Sequence, residues 1–365
     1  MIGCGSGMLV RMKAGIILCL LAIAGASALS AEPDDSDDQC KQYLHTPLPA
    51  EAANIAAPKT WPDCESYKSY SGIGRKVDYV AARKCAWSER SAQQSGKAPD
   101  YDLGSYLGGS AMLTVLYANG EGVEQNTTLA LRFACEASLS QDGFKAIQAL
   151  SASAGPGGKK FDYCEHAMST PEMNLCTEYR VEIATQKRKS ELDQLSSHMT
   201  PEQKVSFDQL RKASEEYVSA RGMGEVYQGG TIRTMRTFGA EERMRDKFVE
   251  ALKVFESGRL PKGAAADFEK ADADLNETYK RALELAAKQN FDEDDGAIRL
   301  DGIHQAQRAW IKYRDAWVAF AKVRYPHTDT NAWLTLLTRN RYWSLRQTAC
   351  RVGWNDNACQ SKEDE

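Results

Sequence analysis

Apolar side chains recur at three- and four-residue steps through almost every ordered stretch of this chain, and this spacing constrains the fold more than any other feature. The clearest run is a wide aromatic stripe at Leu300, Ile303, Trp310, Tyr313, Trp317 and Phe320. No run of alternating β-branched residues bounded by turn signals competes with it. The sequence therefore predicts an all-α fold, with helical-hairpin repeats followed by a disulfide-stapled helical bundle. We expect Trp310 and Tyr313 to pack in that bundle, with direct contact to a partner as the alternative.

Residues 1–31 have the composition of a secretory signal peptide. Two basic residues precede an apolar run from Ala14 to about Ala24, and small residues follow it. An uncleaved membrane anchor needs about 20 apolar residues, and this run is shorter. The sequence thus predicts cleavage after Ala28 or Ala31 and a periplasmic or secreted protein with no stable membrane span.

Eight of the ten cysteines follow that segment: Cys40, Cys64, Cys85, Cys135, Cys164, Cys176, Cys350 and Cys359. An even count suits four disulfides in an oxidising compartment. A zinc cluster is disfavoured because no two of them stand two to four residues apart. Proximity favours the pairs Cys164 with Cys176 and Cys350 with Cys359, and the pairing of the other four stays open.

The charge balance narrows the range of partners. The chain carries a net charge of −4, and removing the two basic residues of the signal segment leaves 44 basic against 50 acidic side chains. Nucleic acid is a poor candidate partner because phosphate binding draws on a basic surface. A cationic protein partner is electrostatically allowed.

Composition divides the rest of the chain. Residues 32–60 are acidic and then rich in Ala and Pro, which predicts a flexible leader with little structure of its own. Gly-Pro-Gly-Gly at 155–158 predicts the main domain boundary. Residues 350–365 are interpreted as a C-terminal tail closed by a disulfide.

The region 61–154 contains a helix, a tight glycine turn and a second helix between residues 111 and 134. Gly120 and Gly122 permit the turn, and apolar residues on both sides supply facing surfaces. This pattern resembles a Sel-one-like repeat, and a degenerate first unit is placed at 64–90. The resemblance implies a protein-interaction scaffold, whereas an ordinary helical hairpin is the alternative.

Residues 161–349 carry four ordered motifs: Cys-Glu-His-Ala-Met-Ser-Thr-Pro-Glu-Met-Asn-Leu-Cys at 164–176, Ala-Asp-Leu-Asn-Glu-Thr-Tyr at 273–279, Gln-Arg-Ala-Trp-Ile-Lys-Tyr-Arg-Asp-Ala at 307–316, and a closing helix. Their order resembles the LprI-like lysozyme-inhibitor family of bacterial envelope proteins. The resemblance implies structural roles for Thr170, Glu172, Met173, Asn174, Leu275, Asn276, Tyr279, Gln307, Arg308, Trp310, Tyr313, Arg314, Asp315, Thr338 and Arg341. Thr170 is expected to cap a helix that starts at Pro171.

The chain departs from that family in two ways. A second cysteine pair of the family falls here on Val318 and Trp333, which favours an apolar contact in place of a disulfide. The connection from Cys176 to Asp272 is also longer than usual, and residues 207–221 align with 300–314 at an offset of 93 with three identities. We interpret 159–260 and 261–349 as two degenerate copies of one helical unit, with chance agreement between amphipathic helices as the alternative.

Nothing in the sequence nominates a catalytic site, and it predicts no cofactor and no metal site. The five histidines are scattered, and no His-Glu-x-x-His helix, Gly-x-Ser-x-Gly elbow or phosphate loop is present. Cys164 beside Glu165 and His166 has an expected disulfide partner. The run Asp292, Glu293, Asp294 and Asp295 lacks the ligand spacing of a calcium loop, so we interpret it as a solvated acidic turn.

The resemblance therefore implies an exported, non-enzymatic protein that binds and blocks lysozyme-type muramidases. The acidic residues 292–295 and the loop at 323–330 are the segments proposed to contact a cationic lysozyme. A periplasmic interaction scaffold without inhibitory activity is the alternative, and an envelope hydrolase is the third hypothesis.

Overall fold

The computed structural model describes residues 35–56, 58–152, 159–288, 296–354 and 359. Over these ranges the chain is helical and contains no β-strand, which confirms the predicted all-α class. The predicted signal peptide, the glycine-rich boundary at 155–158 and the acidic residues 292–295 lie outside the described residues. No helix in the described part is long and apolar enough to cross a membrane.

The α-helices are α1 Asp35–Leu44, α2 Ser66–Ser71, α3 Tyr79–Gln94, α4 Leu103–Leu107, α5 Ser110–Asn119, α6 Thr127–Glu136, α7 Gln141–Ala152, α8 Thr170–Ser196, α9 Pro201–Gly224, α10 Arg233–Glu256, α11 Ala265–Lys288, α12 Leu300–Arg324 and α13 Thr330–Arg351. Two short 3₁₀ helices span Ala50–Asn54 and Tyr163–His166. The helices of the N-terminal half are short, whereas α8 to α13 each have 22 or more residues.

The N-terminal half forms one hydrophobic core, here called the N-terminal core. It gathers residues from α2 to α7 together with the segment 161–176 and the first turns of α8. Disulfides Cys40–Cys135 and Cys64–Cys85 tie its outer helices to its centre, and they are the two pairs that the sequence left open.

Helices α5 and α6 form the hairpin predicted from the glycine turn. Gly122 has φ +67°, and a Cβ atom there would lie 2.7 Å from the carbonyl carbon of Tyr79. Only glycine fits this close approach of two turns. Ala130 and Phe133 of α6 are fully buried against α5. The hairpin geometry is present, and its assignment to Sel-one-like repeats remains a prediction.

The segment 35–56 differs from the flexible leader expected at 32–60. It contains α1 and a 3₁₀ helix, and Tyr43, Leu48 and Ile55 pack on the N-terminal core. The reason is the disulfide from Cys40 to Cys135, which anchors α1 on α6. Acidic and Ala/Pro-rich composition alone does not reveal such a cross-link.

The C-terminal half, here called the C-terminal bundle, consists of two three-helix units, α8–α10 and α11–α13. Within each unit the first and third helices pack side by side and run parallel. In the first unit Arg188 pairs with Glu242 at 2.6 Å, and Glu191 pairs further along with Lys253 at 3.0 Å. In the second unit Asp267 of α11 pairs with Arg339 of α13.

The two units meet through their middle helices, α9 and α12, which pack along most of their length. They run antiparallel, since Gln203 donates to the carbonyl of Val323 at one end and Gly224 lies against Gly302 at the other. A Cβ atom on Gly224 would lie 2.4 Å from the carbonyl oxygen of Gly302, so glycine permits this crossing.

The bounds of the first and third helices follow the sequence offset of 93, whereas α9 shifted by 93 spans 294–317, against Leu300–Arg324 for α12. Adding 93 to the bounds of α8 gives 263–289, against Ala265–Lys288 for α11. The same shift brings α10 to 326–349, against Thr330–Arg351 for α13. This correspondence supports the duplication, while the exact unit limits remain predictions.

Candidate functional site

A buried ion pair lies at the junction of the two three-helix units. Arg341 of α13 donates to both carboxylate oxygens of Glu225, from Nη1 to Oε2 at 2.9 Å and from Nη2 to Oε1 at 2.5 Å. The side chains are 0% and 1% exposed. Gln307 accepts from Arg341 Nε at 2.9 Å, and Arg221 reaches the same carboxylate at 3.2 Å. Arg341 is therefore satisfied on both sides of its guanidinium.

The protonation state of this pair follows from its partners. Burial alone raises the pKa of Glu225, but the charge and hydrogen bonds of Arg341, with those of Arg221, outweigh it and hold the pKa below its ordinary value. Burial also opposes the charged form of Arg341, and the Glu225 carboxylate reverses this and raises its pKa. The pair stays ionised at neutral pH.

Several other residues of the predicted family motif lie in the same interior. Leu275 is 1% exposed, Trp310 is 3% exposed, and Thr338 is fully buried. Tyr313 is half-buried and stacks on Tyr217 of the first unit. These motif residues build the core between the units, so they do not form a pocket for a substrate.

The beginning of α8 corrects one expectation. Ser169, not Thr170, is the N-cap: its hydroxyl accepts from the backbone N–H of Glu172, while the Glu172 carboxylate accepts from the N–H of Ser169. This reciprocal capping box favours Ser169 because glutamate stands three residues after it. Met173 and Asn174 are half-buried on the first turns of α8.

The disulfide Cys164–Cys176 staples the entry segment onto α8, and Cys350–Cys359 closes the end of α13. Both are the pairs favoured by sequence proximity. Cys164 is thus not a free thiol. The first staple lies in the N-terminal core, since Phe161, Tyr163 and Cys176 pack there.

Aromatic packing occupies the place of the missing family cysteines. Trp333 is 1% exposed, stacks on Trp317 and meets Phe255 of the first unit edge-on at 4.8 Å between ring centroids. Val318 packs against the same cluster. An apolar cluster that joins both units therefore stands where a disulfide was expected from the family.

Three motif residues with solvent-accessible side chains lie on the hairpin of α11 and α12. Asn276 and Arg308 are exposed, and Tyr279 is half-buried with its hydroxyl 2.5 Å from His304 Nδ1. Burial raises the pKa of Tyr279, and the nearby charge of Arg308 acts in the opposite direction. We call Asn276, Tyr279, His304 and Arg308 the hairpin patch. It is the candidate functional site.

The remaining predicted residues are spread around the bundle. Arg314 and Asp315 pair with each other, 2.8 Å apart, and Arg314 covers the ring of Trp310. The 323–330 loop is anchored, because Arg324 and Tyr325 both bond to Glu256. The acidic residues 292–295 lie in the connection between α11 and α12, outside the described residues.

Two polar residues of the interior were missed from the sequence. Glu225 directly follows α9, where the sequence predicts an ordinary surface acid, yet it is buried. Arg188 on α8 is buried between Glu242 and Asp246. The sequence signal for Glu225 is its spacing of four residues from Arg221, which suits an ion pair on one helical face. No group of three His, Cys, Asp or Glu side chains that could hold a metal occurs in the described part of the chain.

The fold and the site define an all-α protein whose bundle contains a buried arginine–glutamate pair. Four disulfides cross-link it, which is typical of proteins that work outside the cytoplasm. Residues 261–350, which hold α11, α12 and α13, match the family model described as Lysozyme inhibitor LprI. The predicted resemblance is thereby confirmed for this part of the chain.

One curated relative also matches. It is an uncharacterized protein of Rhizobium meliloti (strain 1021), 45% identical over 58 residues, which cover 14% of this chain and 40% of that protein. The match thus spans less than half of the relative's length. No solved structure matches the chain.

Proposed function

We propose that this chain is an exported, non-enzymatic inhibitor that binds lysozyme-type muramidases in the periplasm or outside the cell and blocks them. The observation that carries the proposal is the match of residues 261–350 to the LprI lysozyme-inhibitor family, together with the motif residues gathered in that unit. The disulfides and the signal-like residues 1–31 support export.

The hairpin patch is the proposed contact surface. The motif residues Leu275, Trp310 and Thr338 are buried inside the bundle, whereas Asn276 and Arg308 face solvent on neighbouring helices. The hydrogen bond between Tyr279 and His304 joins the two helices beneath them. A fixed, partly polar surface on two rigid helices suits a protein partner, because little order has to be gained on binding.

A run of acidic residues lies close to the hairpin patch in the sequence. Residues 261–350 contain 14 Lys and Arg against 13 Asp and Glu, so this unit as a whole is not acidic. Four of its acids are consecutive, at 292–295, in the connection of the same hairpin. We propose that this run steers a cationic lysozyme toward the patch, which predicts faster association at low salt.

A cell-wall clearing assay tests the proposal. Purified mature protein, with its disulfides intact, is added to lysozymes of several classes at micromolar excess. We expect slower clearing with at least one class, and the loss should increase as ionic strength falls. Absence of inhibition across all classes at low and physiological salt contradicts the proposal.

A periplasmic scaffold is the second candidate, and one observation favours it. Val77 and Val80 are 52% and 45% exposed at the turn between α2 and α3 of the N-terminal core. Such apolar residues at a hairpin turn suit a protein contact. If the double change Val77→Asp with Val80→Asp abolishes co-purification of envelope proteins and leaves lysozyme clearing unchanged, the scaffold is a separate activity.

A further inference from the structure

A solvent-open cavity of about 460 Å³ lies where the two three-helix units meet. Its volume falls in the usual range of small-molecule sites. Three arginines line it, Arg236 and Arg243 of α10 and Arg351 at the end of α13. Apolar side chains, including Val226, Ile298 and Val352, form the rest of the wall. We call it the arginine cavity.

Within the ranges that the structure describes, no carboxylate pairs with the two outer arginines of the arginine cavity. Arg243 and Arg351 form no ion pair or side-chain hydrogen bond within the described part of the chain. Glu225 is close enough to affect Arg351, and it is already bound by Arg341 and Arg221. Cationic side chains are thus concentrated at one place on a chain whose net charge is −4.

The electrostatics of Arg351 show this imbalance. Burial lowers its pKa, and the positive charges of Arg221, Arg243 and Arg236 lower it further, against a smaller opposing effect of Glu225. The guanidinium remains protonated, since an arginine pKa lies far above neutrality. Like charges held together in this way are stabilised when an anion binds between them.

The geometry of the cavity is fixed before any ligand arrives. Arg236 donates to the carbonyls of Tyr227 and Gly229, each at 3.0 Å, and its guanidinium lies over the Tyr227 ring. The backbone N–H of Gln228 donates to the carbonyl of Gly296 at 2.7 Å, which holds the 226–229 turn against the segment leading to Ile298. Binding an anion therefore requires little reorganisation.

We propose that the arginine cavity binds a phosphate-bearing small molecule, with the phosphate between Arg243 and Arg351 and an apolar group against Tyr227, Ile298 and Val352. A phosphate monoester carries a charge of about −1.5 to −2 at neutral pH, so it neutralises two guanidinium groups more fully than a single carboxylate does. Guanidinium forks also match the oxygens of a phosphate. No residue of the hairpin patch lines this cavity, so the proposed site is separate from the proposed contact surface.

Isothermal titration calorimetry on the full mature chain tests this site at constant ionic strength. The probes are inorganic phosphate, phenyl phosphate and benzoate. We expect phenyl phosphate to bind most tightly because it fills both the charged and the apolar parts, with inorganic phosphate weaker. Tighter binding of benzoate than of phenyl phosphate, or no phosphate binding at millimolar concentrations, overturns the proposal.

Matched variants locate the binding. Arg243→Gln and Arg351→Gln should each weaken phenyl phosphate by about tenfold or more, since each removes a charge-assisted hydrogen-bond donor. Lys247→Gln removes one exposed charge from the same helix outside the cavity, and its affinity should stay within about twofold. Equal affinities in all three variants contradict the assignment.

Thermal unfolding shows whether each variant still folds. Without ligand, Arg351→Gln should melt at or above the wild-type temperature, because it relieves repulsion from Arg243 and Arg221. Phenyl phosphate should raise the melting temperature of the wild-type protein and leave that of the variant unchanged. Arg243→Lys keeps the positive charge but loses the paired N–H donors of the guanidinium. Its affinity for phenyl phosphate should fall between those of wild type and Arg243→Gln. A lower melting temperature in Arg351→Gln together with an intact phosphate-induced rise overturns the proposal.

Discussion

The N-terminal core and the C-terminal bundle are both helical, yet different interactions hold them together. The N-terminal core uses helices as short as five residues and is cross-linked by Cys40–Cys135, Cys64–Cys85 and Cys164–Cys176. The C-terminal bundle uses helices of 22–27 residues, an aromatic cluster and a buried ion pair. Short helices gain little stability of their own, so the covalent links compensate where helix length does not.

The largest expected effect is on the stability of the N-terminal core. Replacing Cys40 and Cys135 by Ala removes a link that spans 95 residues of sequence, and chain-entropy reasoning gives a loss of about 4–5 kcal/mol for loops of this size. Hydrogen exchange should show the loss in α5 and α6 and leave α9 and α12 protected.

Replacement of Cys350 and Cys359 is the matched control, because this link spans only nine residues at the end of α13. Its effect should be smaller and confined to the C-terminal bundle. Equal loss of protection in both regions after either change contradicts separate stabilisation.

The next effect tests the buried pair of the bundle. Arg341→Met leaves the Glu225 carboxylate buried without its main partner, which should cost about 3–5 kcal/mol in the free energy of unfolding. The double variant Glu225→Met with Arg341→Met should recover most of this loss, since no charge remains unpaired. Urea unfolding measures both.

Arg339→Met is the control for that series. Arg339 and Asp267 are about half exposed and 3.6 Å apart, so the loss should be under about 1 kcal/mol. If the double variant is as unstable as Arg341→Met alone, the pair has a role other than charge compensation.

The aromatic cluster gives a somewhat smaller effect. Trp333→Ala should cost about 3 kcal/mol, because Trp317, Phe255 and Tyr325 can partly close the space. Trp333→Phe should cost under about 1.5 kcal/mol, since the indole N–H has no hydrogen-bond partner within the described part of the chain. If Trp333→Phe loses as much unfolding free energy as Trp333→Ala, the indole N–H contributes to stability.

The smallest expected effect is a different pH dependence of stability in the two regions. The pKa of Glu225 is below the ordinary 4.5 in the folded state, so its contribution to stability is complete above pH 4.5 and is lost as the pH falls below it. In the N-terminal core, burial raises the pKa of Glu89 despite hydrogen bonds from Ser66 and Gly109, so its contribution is present at low pH and declines as the pH rises through 4.5.

Hydrogen exchange between pH 3 and pH 6 should therefore show α9 losing protection on acidification. Glu89→Gln in α3 should flatten the opposing trend of the N-terminal core without changing α9. A pH response of α9 that persists in the double Met variant at 225 and 341 contradicts the assignment to this pair.

Sequence reasoning predicted the helical class, the aromatic stripe and the two local disulfides, because spacing and proximity are visible along the chain. It did not predict the order in 35–56, since that depends on Cys40 meeting Cys135 far along the sequence. The role of Glu225 was also hidden, because its partner Arg341 is 116 residues away. Of the hairpin patch, the family motif predicts Asn276, Tyr279 and Arg308, whereas His304 belongs to no motif and is revealed by its hydrogen bond to Tyr279 across α11 and α12.

The most direct test of the account is the inhibition constant of hairpin-patch variants in the lysozyme clearing assay. Asn276→Arg adds a positive charge to an exposed position of the hairpin patch, and Gln209→Arg adds the same charge to an exposed position of α9. The account predicts inhibition weakened by about tenfold or more for Asn276→Arg and by less than about twofold for Gln209→Arg. Equal inhibition by wild type and Asn276→Arg would contradict the assignment of lysozyme binding to this hairpin.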